Sequence, residues 1–169
     1  MQLLFHGPFG FIVFWFCTEV EIRYPGFQHI GGTFSNVKGN TDTTLSLRRG
    51  LARFNGDGTI DPNWDPNKND TAQGADIIAL ALQADGKVLV GGNFLTINAL
   101  TRLRVARLNT DGSLDSDFNP EPDGQVNAFA LQADGRIIIG GAFSRIGGVT
   151  RNRIARLNAD GTVDLGFNT

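Results

Sequence analysis

Three stretches of this chain are close copies of one another, and a chain that repeats itself folds one unit several times over. Gly31-Gly32-Thr33-Phe34 returns as Gly91-Gly92-Asn93-Phe94 and as Gly140-Gly141-Ala142-Phe143. Leu51-Ala52-Arg53-Phe54-Asn55 returns as Val105-Ala106-Arg107-Leu108-Asn109 and as Ile154-Ala155-Arg156-Leu157-Asn158. Each of these runs enters a turn and an acid, Gly56 to Asp61, Thr110 to Asp115 and Ala159 to Asp164. An aromatic follows three residues later, at Trp64, Phe118 and Phe167. Copies two and three lie 49 residues apart, from Gly91 to Gly140 and from Ala106 to Ala155. Copy one is longer, with 21 residues from Gly31 to Ala52 where the others have 15. Its extra residues fall in the polar stretches Lys38 to Thr44 and Pro66 to Gly74, and surface loops absorb such insertions at little cost. The chain divides into an apolar segment, 1–16, a degenerate first repeat, 17–75, a second, 76–125, and a third, 126–169.

The second copy shows what one unit folds into. Residues Ile77 to Gln83 alternate large and small, with Ile78, Leu80 and Leu82 on one face, which is the period of a strand. Ala84-Asp85-Gly86 suits a three-residue hairpin loop closed by a left-handed glycine. That loop pairs Gln83 with Lys87, Leu82 with Val88 and Leu80 with Val90, so apolar partners meet on one face. Arg104 to Asn109 reads as a further strand, and Thr110-Asp111-Gly112 turns it back. Asn109 then pairs with Ser113, Leu108 with Leu114 and Arg107 with Asp115. The last pair sets opposite charges across the ladder, and it recurs as Arg53 with Asp61 and Arg156 with Asp164. One repeat is two hairpins, or four short antiparallel strands, in about 50 residues, the size of a β-propeller blade. The expected fold is all-β, with about three blades per chain and an incomplete ring. A stacked β-solenoid is the rival architecture, though its coils are usually shorter.

Copy one is degenerate in its first half. A shift of 60 residues sets Val20 under Leu80, Ile22 under Leu82, Gly26 under Gly86 and Ile30 under Val90. Glu19 and Glu21 replace Ala79 and Ala81, and Pro25 replaces Asp85, which predicts an exposed face on a terminal repeat. Leu3 to Cys17 is strongly apolar but interrupted by His6, Gly7, Pro8 and Gly10. It is too short to span a bilayer and lacks the basic start and small-residue cleavage site of a secretory signal. An additional strand, an imperfect signal peptide and a membrane anchor all remain readings of it.

The stretch ALALQADGKVLVGGNF with RVARLNTDGSLDSDFNP, and its partner AFALQADGRIIIGGAF with RIARLNADGTVDLGFN, resemble the delta-60 repeat, a bacterial β-propeller repeat. The resemblance runs from about residue 17 to 169 and is strongest from 76 onward. It implies a propeller fold and a secreted or cell-surface address. It implies no common activity. The Gly-Gly at the second strand's end is similar to that of kelch blades. Propellers usually close with four to eight blades. Three blades leave open edges, and open edges seek partners. The expected outcome is self-association, two chains of three blades making a six-bladed ring, or continuation into further blades.

Candidate sites follow from the repeats. The Asn-x-Asp-Gly-x-x-Asp element (Asn55/Asp57/Asp61, Asn109/Asp111/Asp115, Asn158/Asp160/Asp164) offers hard oxygen ligands at short spacing, which suits calcium. It equally suits turn chemistry, with Asp-Gly closing the hairpin, Asn capping it and the second Asp paired to Arg. Turn chemistry is the favoured reading, and no cofactor is expected. Arg53, Arg107 and Arg156 read as structural partners of their acids. Arg102, Arg104, Arg151 and Arg153 have no predicted partner and are the candidates for ligand contact. The repeated phenylalanines and Trp64 read as packing between blades.

Composition narrows the function. A net charge of −2 gives no basis for binding nucleic acid or an anionic membrane. Two histidines, His6 and His29, and one cysteine, Cys17, leave little material for a zinc site or a nucleophile with its base. The 14 aspartates, candidates for a glycosidase pair, already have turn roles at the repeated positions. The expectation is a non-enzymatic structural or binding module of a secreted or cell-surface bacterial protein, with a protein or glycan as partner. The alternatives are a lectin-like ring of several short chains and a piece of a larger propeller enzyme whose site lies elsewhere.

Overall fold

The computed structural model describes residues 2–7, 10–15, 19–24, 26–39, 43–67 and 76–167. Cys17, Pro25, most of the second insertion (68–75) and Thr169 lie outside these residues. The described chain is all-β. It opens with a hairpin of β1 (Gln2–Gly7) and β2 (Gly10–Trp15), paired antiparallel from Gln2↔Trp15 to Gly7↔Gly10. The first blade follows: β3 (Glu19–Tyr24), β4 (Phe27–Gly32), a small ribbon of β5 (Asn36–Val37) and β6 (Ser46–Leu47), then β7 (Leu51–Asn55). The second blade has β8 (Ile77–Leu82), β9 (Val88–Gly92), the ribbon β10 (Thr96–Ile97) and β11 (Leu100–Thr101), and β12 (Val105–Leu108). The third has β13 (Val126–Leu131), β14 (Ile137–Gly141), the ribbon β15 (Arg145–Ile146) and β16 (Val149–Thr150), and β17 (Ile154–Leu157).

Every blade is a three-stranded antiparallel sheet with its second strand in the middle: β3-β4-β7, β8-β9-β12 and β13-β14-β17. The fourth strand shrinks to one bridge residue, Phe54↔Ile60, Leu108↔Leu114 and Leu157↔Val163. The x-Asp-Gly loops set the expected registers. Leu82 faces Val88 and Leu80 faces Val90, while Gln83 and Asn109 donate backbone N–H groups to the carbonyls of Lys87 and Ser113. The ribbons are an addition to the expected four strands. They arise because residues 96–101 and 145–150 cross the blade end through left-handed pairs, Asn98-Ala99 and Gly147-Gly148. The described residues form no closed ring.

Two registers depart from expectation. In β8 and β13 a bulge follows the first residue, so Ile77 pairs with Gly92 and Ala79 with Gly91. The bulge brings Ile77 rather than Ile78 onto the face of Leu80 and Leu82, and Ile77 is 1% exposed. In the first blade Tyr24 pairs with Phe27 across two residues, against the three-residue loop of blade two, and Ile22 pairs with His29. The strict 60-residue correspondence therefore slips by one along β3. A one-residue slip swaps faces: Ile22 packs into the core shared with the second blade, while Leu82, its sequence counterpart, packs toward the first. The cause lies in the turn. Asp85 accepts the Lys87 N–H at 3.1 Å, and proline, which stands there in copy one, offers no such oxygen.

The blades stack by a repeated contact. Each has a leading face, toward the preceding blade, and a trailing face, toward the next. Leu51 and Trp64 of the first blade meet Leu80, Val88, Val90, Ala106 and Leu108 of the second. Leu89, Val105 and Phe118 of the second meet Val126, Ile137, Ile139, Ala155 and Leu157 of the third. The glycine pairs make this approach possible. Gly31 has no room for a Cβ beside Ile77, and a Cβ on Gly91 would lie 2.9 Å from both the Phe129 ring and Val126 Cγ1. Gly91→Val is expected to lower unfolding stability by about 3 kcal/mol, read as a lower urea midpoint, because overpacking a filled interface forces strands apart. The leading face of the first blade (Ile30, Phe34, Val37, Ala52, Phe54, Ile60) is also a buried cluster, and β2 lies beside β5, which carries Val37.

Candidate functional site

Three structural modules recur in each blade, and between them they engage most of the polar residues that the repeat pattern singles out. The first is the hairpin cap. Asp57 Oδ1 accepts the Thr59 N–H at 2.9 Å and its hydroxyl at 2.6 Å, while Asn55 Nδ2 donates to Thr59 Oγ1 at 2.9 Å. Asp111 with Ser113 and Asn109, and Asp160 with Thr162 and Asn158, repeat it. The hydroxyl bond, followed by the backbone bond, holds all three carboxyls below their ordinary pKa. The turn glycines Gly58, Gly112 and Gly161 are left-handed, with φ of 83°, 84° and 93°.

The second module joins the second acid, the arginine and the aromatic. Arg53 Nε and Nη2 donate to Asp61 Oδ2 at 2.9 and 2.6 Å; Arg107 Nε reaches Asp115 and Arg156 Nε reaches Asp164, both at 2.8 Å. Burial pushes Asp61 and Asp115 up, but the hydrogen bonds and nearby cations outweigh it and hold both below the usual range. Each guanidinium also lies over an aromatic ring: Arg53 at 5.5 Å from Trp64, Arg107 at 4.4 Å from Phe118 and Arg156 at 4.8 Å from Phe167. The free Nη1 then crosses to the next blade, where Arg53 donates to Thr110 O and Arg107 to Ala159 O, each at 2.6 Å. Lys87 adds a second cation on Asp115, and Arg136 stands near Asp164 at 3.6 Å. Blade one has Phe27 there, stacked on Arg53 at 4.6 Å.

The third module involves two of the four arginines predicted to be available for ligand. Arg102 Nη1 and Nη2 donate to the carbonyls of Thr101 and Ser116 at 2.8 and 3.0 Å. Arg151 likewise reaches Thr150 at 3.0 Å and Asp164 at 3.5 Å. They fasten the ribbon to the turn below it. Arg48, which the repeat alignment did not bring out, does the same with Leu47 and Asp61 at 2.9 and 3.3 Å. Its signal was present, two residues before Gly50 as Arg102 precedes Arg104, but the insertion hid the spacing. Arg104 and Arg153 hold left-handed backbone (φ 63° and 68°) at the position Gly50 takes in blade one (φ 76°). Arg104 Nη1 donates to Pro122 O at 3.2 Å, whereas Arg153 is exposed and has no acceptor among the described residues. Of the four candidates, Arg102 and Arg151 are thus bonded within their own blades, Arg104 reaches the loop before blade three, and Arg153 is exposed.

The remaining chemistry is sparse. Among the described residues no group of three or more His, Cys, Asp or Glu could hold a metal, and no helix is long and apolar enough to cross a membrane. In the loop entering blade three, Asp123 accepts the Ser144 hydroxyl at 2.7 Å and the backbone N–H groups of Ser144 and Arg145. The hydroxyl bond first, then the two backbone bonds, pull its pKa down to about 2. Some large apolar side chains also stay open to solvent. Leu45 and Leu47 at the first ribbon and Leu95 and Leu100 at the second are 49–57% exposed.

Stacked antiparallel sheets with recurring Asp-Gly caps and arginine links between neighbours define a β-propeller repeat protein. Residues 30–63, 83–118 and 132–167 match a domain of unknown function (DUF5122) described as a beta-propeller. These matches span more than half of the chain, one to each blade, and the chain belongs to this family. No curated protein matches the chain.

Proposed function

We propose that this protein is a non-enzymatic binding module of a secreted or cell-surface bacterial protein, and that its partner is another protein. The observation that carries this reading is the exposed leucine pair on each of the first two ribbons, Leu45 with Leu47 and Leu95 with Leu100. Leucines half open to water at the edge of an otherwise polar loop are an apolar docking surface. Two such pairs on successive blades add avidity when one partner reaches both. The resemblance to delta-60 repeats supports the extracellular address. The non-enzymatic reading is supported by the roles of the repeated acids: Asp57, Asp111 and Asp160 are bonded into turns, and Asp61, Asp115 and Asp164 to arginines. A hydroxyl-rich glycan would need free polar side chains around the leucines, and the nearby Arg48 and Arg102 are bonded to carbonyls.

The test presents the labelled chain both to a glycan array and to secreted bacterial proteins separated on a blot. Binding to discrete protein bands that disappears when Leu45, Leu47, Leu95 and Leu100 are together replaced by serine is the expected result. A glycan signal that survives that replacement overturns the reading in favour of a lectin-like module.

A further inference from the structure

The cations of this chain fall into two groups. Those on the strands are neutralised: Arg53 pairs with Asp61, Lys87 and Arg107 with Asp115, and Arg156 with Asp164. Those on the ribbons are not. The ribbon segments 35–50, 95–104 and 144–153 hold seven arginines, one lysine and a single acid, Asp42, which lies outside the described residues. Arg48 has Asp65 at 3.3 Å. Arg49, Arg102, Arg104, Arg145, Arg151 and Arg153 have no carboxylate within ion-pair distance among the described residues. Four of these six are held by backbone carbonyls instead: Arg102 by Ser116 at 3.0 Å, Arg104 by Pro122 at 3.2 Å, Arg145 by Gly148 at 2.9 Å and Arg151 by Thr150 at 3.0 Å. A carbonyl fixes a guanidinium in place and leaves its charge uncancelled. Each ribbon leaves its blade where the middle strand ends, so the ribbons stand at one end of the blades and the hairpin turns at the other. The hairpin end is the acidic one, with Asp57, Asp85, Asp111, Asp134 and Asp160 exposed. Near the ribbons, Asp76, Asp117 and Glu121 pair with no arginine among the described residues, and Asp123 accepts the backbone N–H groups of Ser144 and Arg145.

We infer that the ribbon end receives an acidic segment of a partner protein, one that carries apolar side chains between its carboxylates. This rests on the docking role of the ribbon leucines and adds the chemistry of what docks. Leu45 and Leu47 precede Arg48 and Arg49, and Leu100 stands two residues before Arg102, so exposed apolar groups and cations are neighbours on the same ribbons. A partner that covers the leucines brings its own side chains up to the guanidinium forks. Lysines there would set like charges face to face, whereas carboxylates meet the forks in bidentate pairs. Arginine outnumbers lysine seven to one in these segments, and its planar fork is the better match to a carboxylate. The carbonyls that hold four of the forks reduce the ordering lost on docking. An anionic lipid surface fits less well. Membrane-binding surfaces anchor with exposed aromatic side chains, and Phe34, Phe94 and Phe143 beside the ribbons are at most 3% exposed. A nucleic acid or sulfated glycan would meet the arginines and leave the leucines in water. The aspartates of the hairpin end repel the same acidic segment, which gives docking one orientation.

The probes are three short fluorescent peptides: a repeat of leucine, glutamate, serine and glutamate; the same with lysine for glutamate; and the same with serine for leucine. Binding to the whole chain is read by fluorescence anisotropy at low salt. The variant protein carries Arg49→Gln, Arg145→Gln and Arg153→Gln together. These break no ion pair, so its thermal midpoint should stay within about 2 °C of the parent. The leucine–glutamate peptide should bind the parent, bind the triple variant roughly tenfold more weakly, and weaken likewise as salt is raised. The lysine peptide should not bind. Equal affinity of parent and triple variant overturns the inference, as does a lysine peptide that binds as tightly, or no binding of any peptide. A serine peptide that binds as tightly as the leucine one overturns it in favour of a polyanion site. Vesicles of phosphatidylglycerol and phosphatidylcholine that bind the parent and not the triple variant overturn it in favour of a membrane surface. Light scattering that shows the parent associating at low salt, and the triple variant not, overturns it in favour of the acidic hairpin end of a second copy. The leucine reading fails separately, by blot bands that survive the four-serine replacement. Bands lost on that replacement but unchanged in the triple variant sink the acidic partner alone.

Discussion

Trp64→Ala is expected to lower stability by about 4 kcal/mol, the upper range for a single buried side chain. Trp64 is 0% exposed and sits where the first blade's trailing face meets the second. The His29 ring stands edge-on to it at 5.0 Å, and the Arg53 guanidinium lies 5.5 Å from its centroid. From the second blade the left-handed turn at Gly112 closes over it, so near that a Cβ there would lie 3.0 Å from Trp64 Cδ1. Alanine leaves a cavity bounded by two blades, beside the Arg53 link to Thr110 O. Neighbouring blades stabilise one another chiefly through such contacts. The thermal midpoint should therefore fall by roughly 10 °C. Trp64→Phe should cost less than about 1.5 kcal/mol, because Phe118 and Phe167 do the same work elsewhere and because the buried Trp64 Nε1 has no hydrogen-bond partner among the described residues. A Trp64→Ala midpoint within 3 °C of the parent, roughly the shift of a 1 kcal/mol change, would show that the blades do not depend on this contact.

The repeat made the blade legible because turns and registers are local. An x-Asp-Gly loop specifies which residues face each other, and Leu80 with Val90 and Leu108 with Leu114 meet accordingly. What stayed hidden depends on contacts between blades. No strand pattern announces that Ile77 displaces Ile78, because the bulge serves the fit of Ile77 over Gly31 in the preceding blade. The slip in β3 is not visible in a residue-for-residue correspondence of the copies, although proline at the position of Asp85 lacks the oxygen of that cap. The roles of Arg102 and Arg151 were invisible for a different reason. Their acceptors are backbone carbonyls, which every residue has and no sequence displays. The ribbon leucines carry no signal in the sequence, where single exposed leucines mean little; only the fold brings Leu95 and Leu100 to one ribbon.

The first blade also contains a pH-sensitive position. His29 is 4% exposed and occupies the strand slot filled by Leu89 and Ile138 in the other blades. Burial, and then the positive charge of Arg53, push its pKa from 6.5 down to about 4; Asp61 pulls weakly the other way. Its Nδ1 has no hydrogen-bond partner among the described residues. As pH falls below 6.5, the unfolded chain takes up a proton on this residue and the folded chain does not. Stability therefore declines between pH 6.5 and 4 and levels off, for this residue, once the folded form protonates as well. The total loss is about 3 kcal/mol. His29→Leu removes the loss and fills the slot as its counterparts do, so the variant should gain over the parent steadily as urea midpoints are taken from pH 7 to pH 4.5. The aspartates do not confuse this window. Asp61, Asp115 and Asp164 have lowered pKa values, so their contribution fades only below the ordinary carboxylate range, under about 3.8. His6 is common to both proteins and drops out of the difference. Parallel midpoints for parent and variant across pH 7 to 4.5 would mean that His29 protonates in the folded state as readily as in the unfolded one. The packing of the ring against Trp64 would then have to be open enough to admit water.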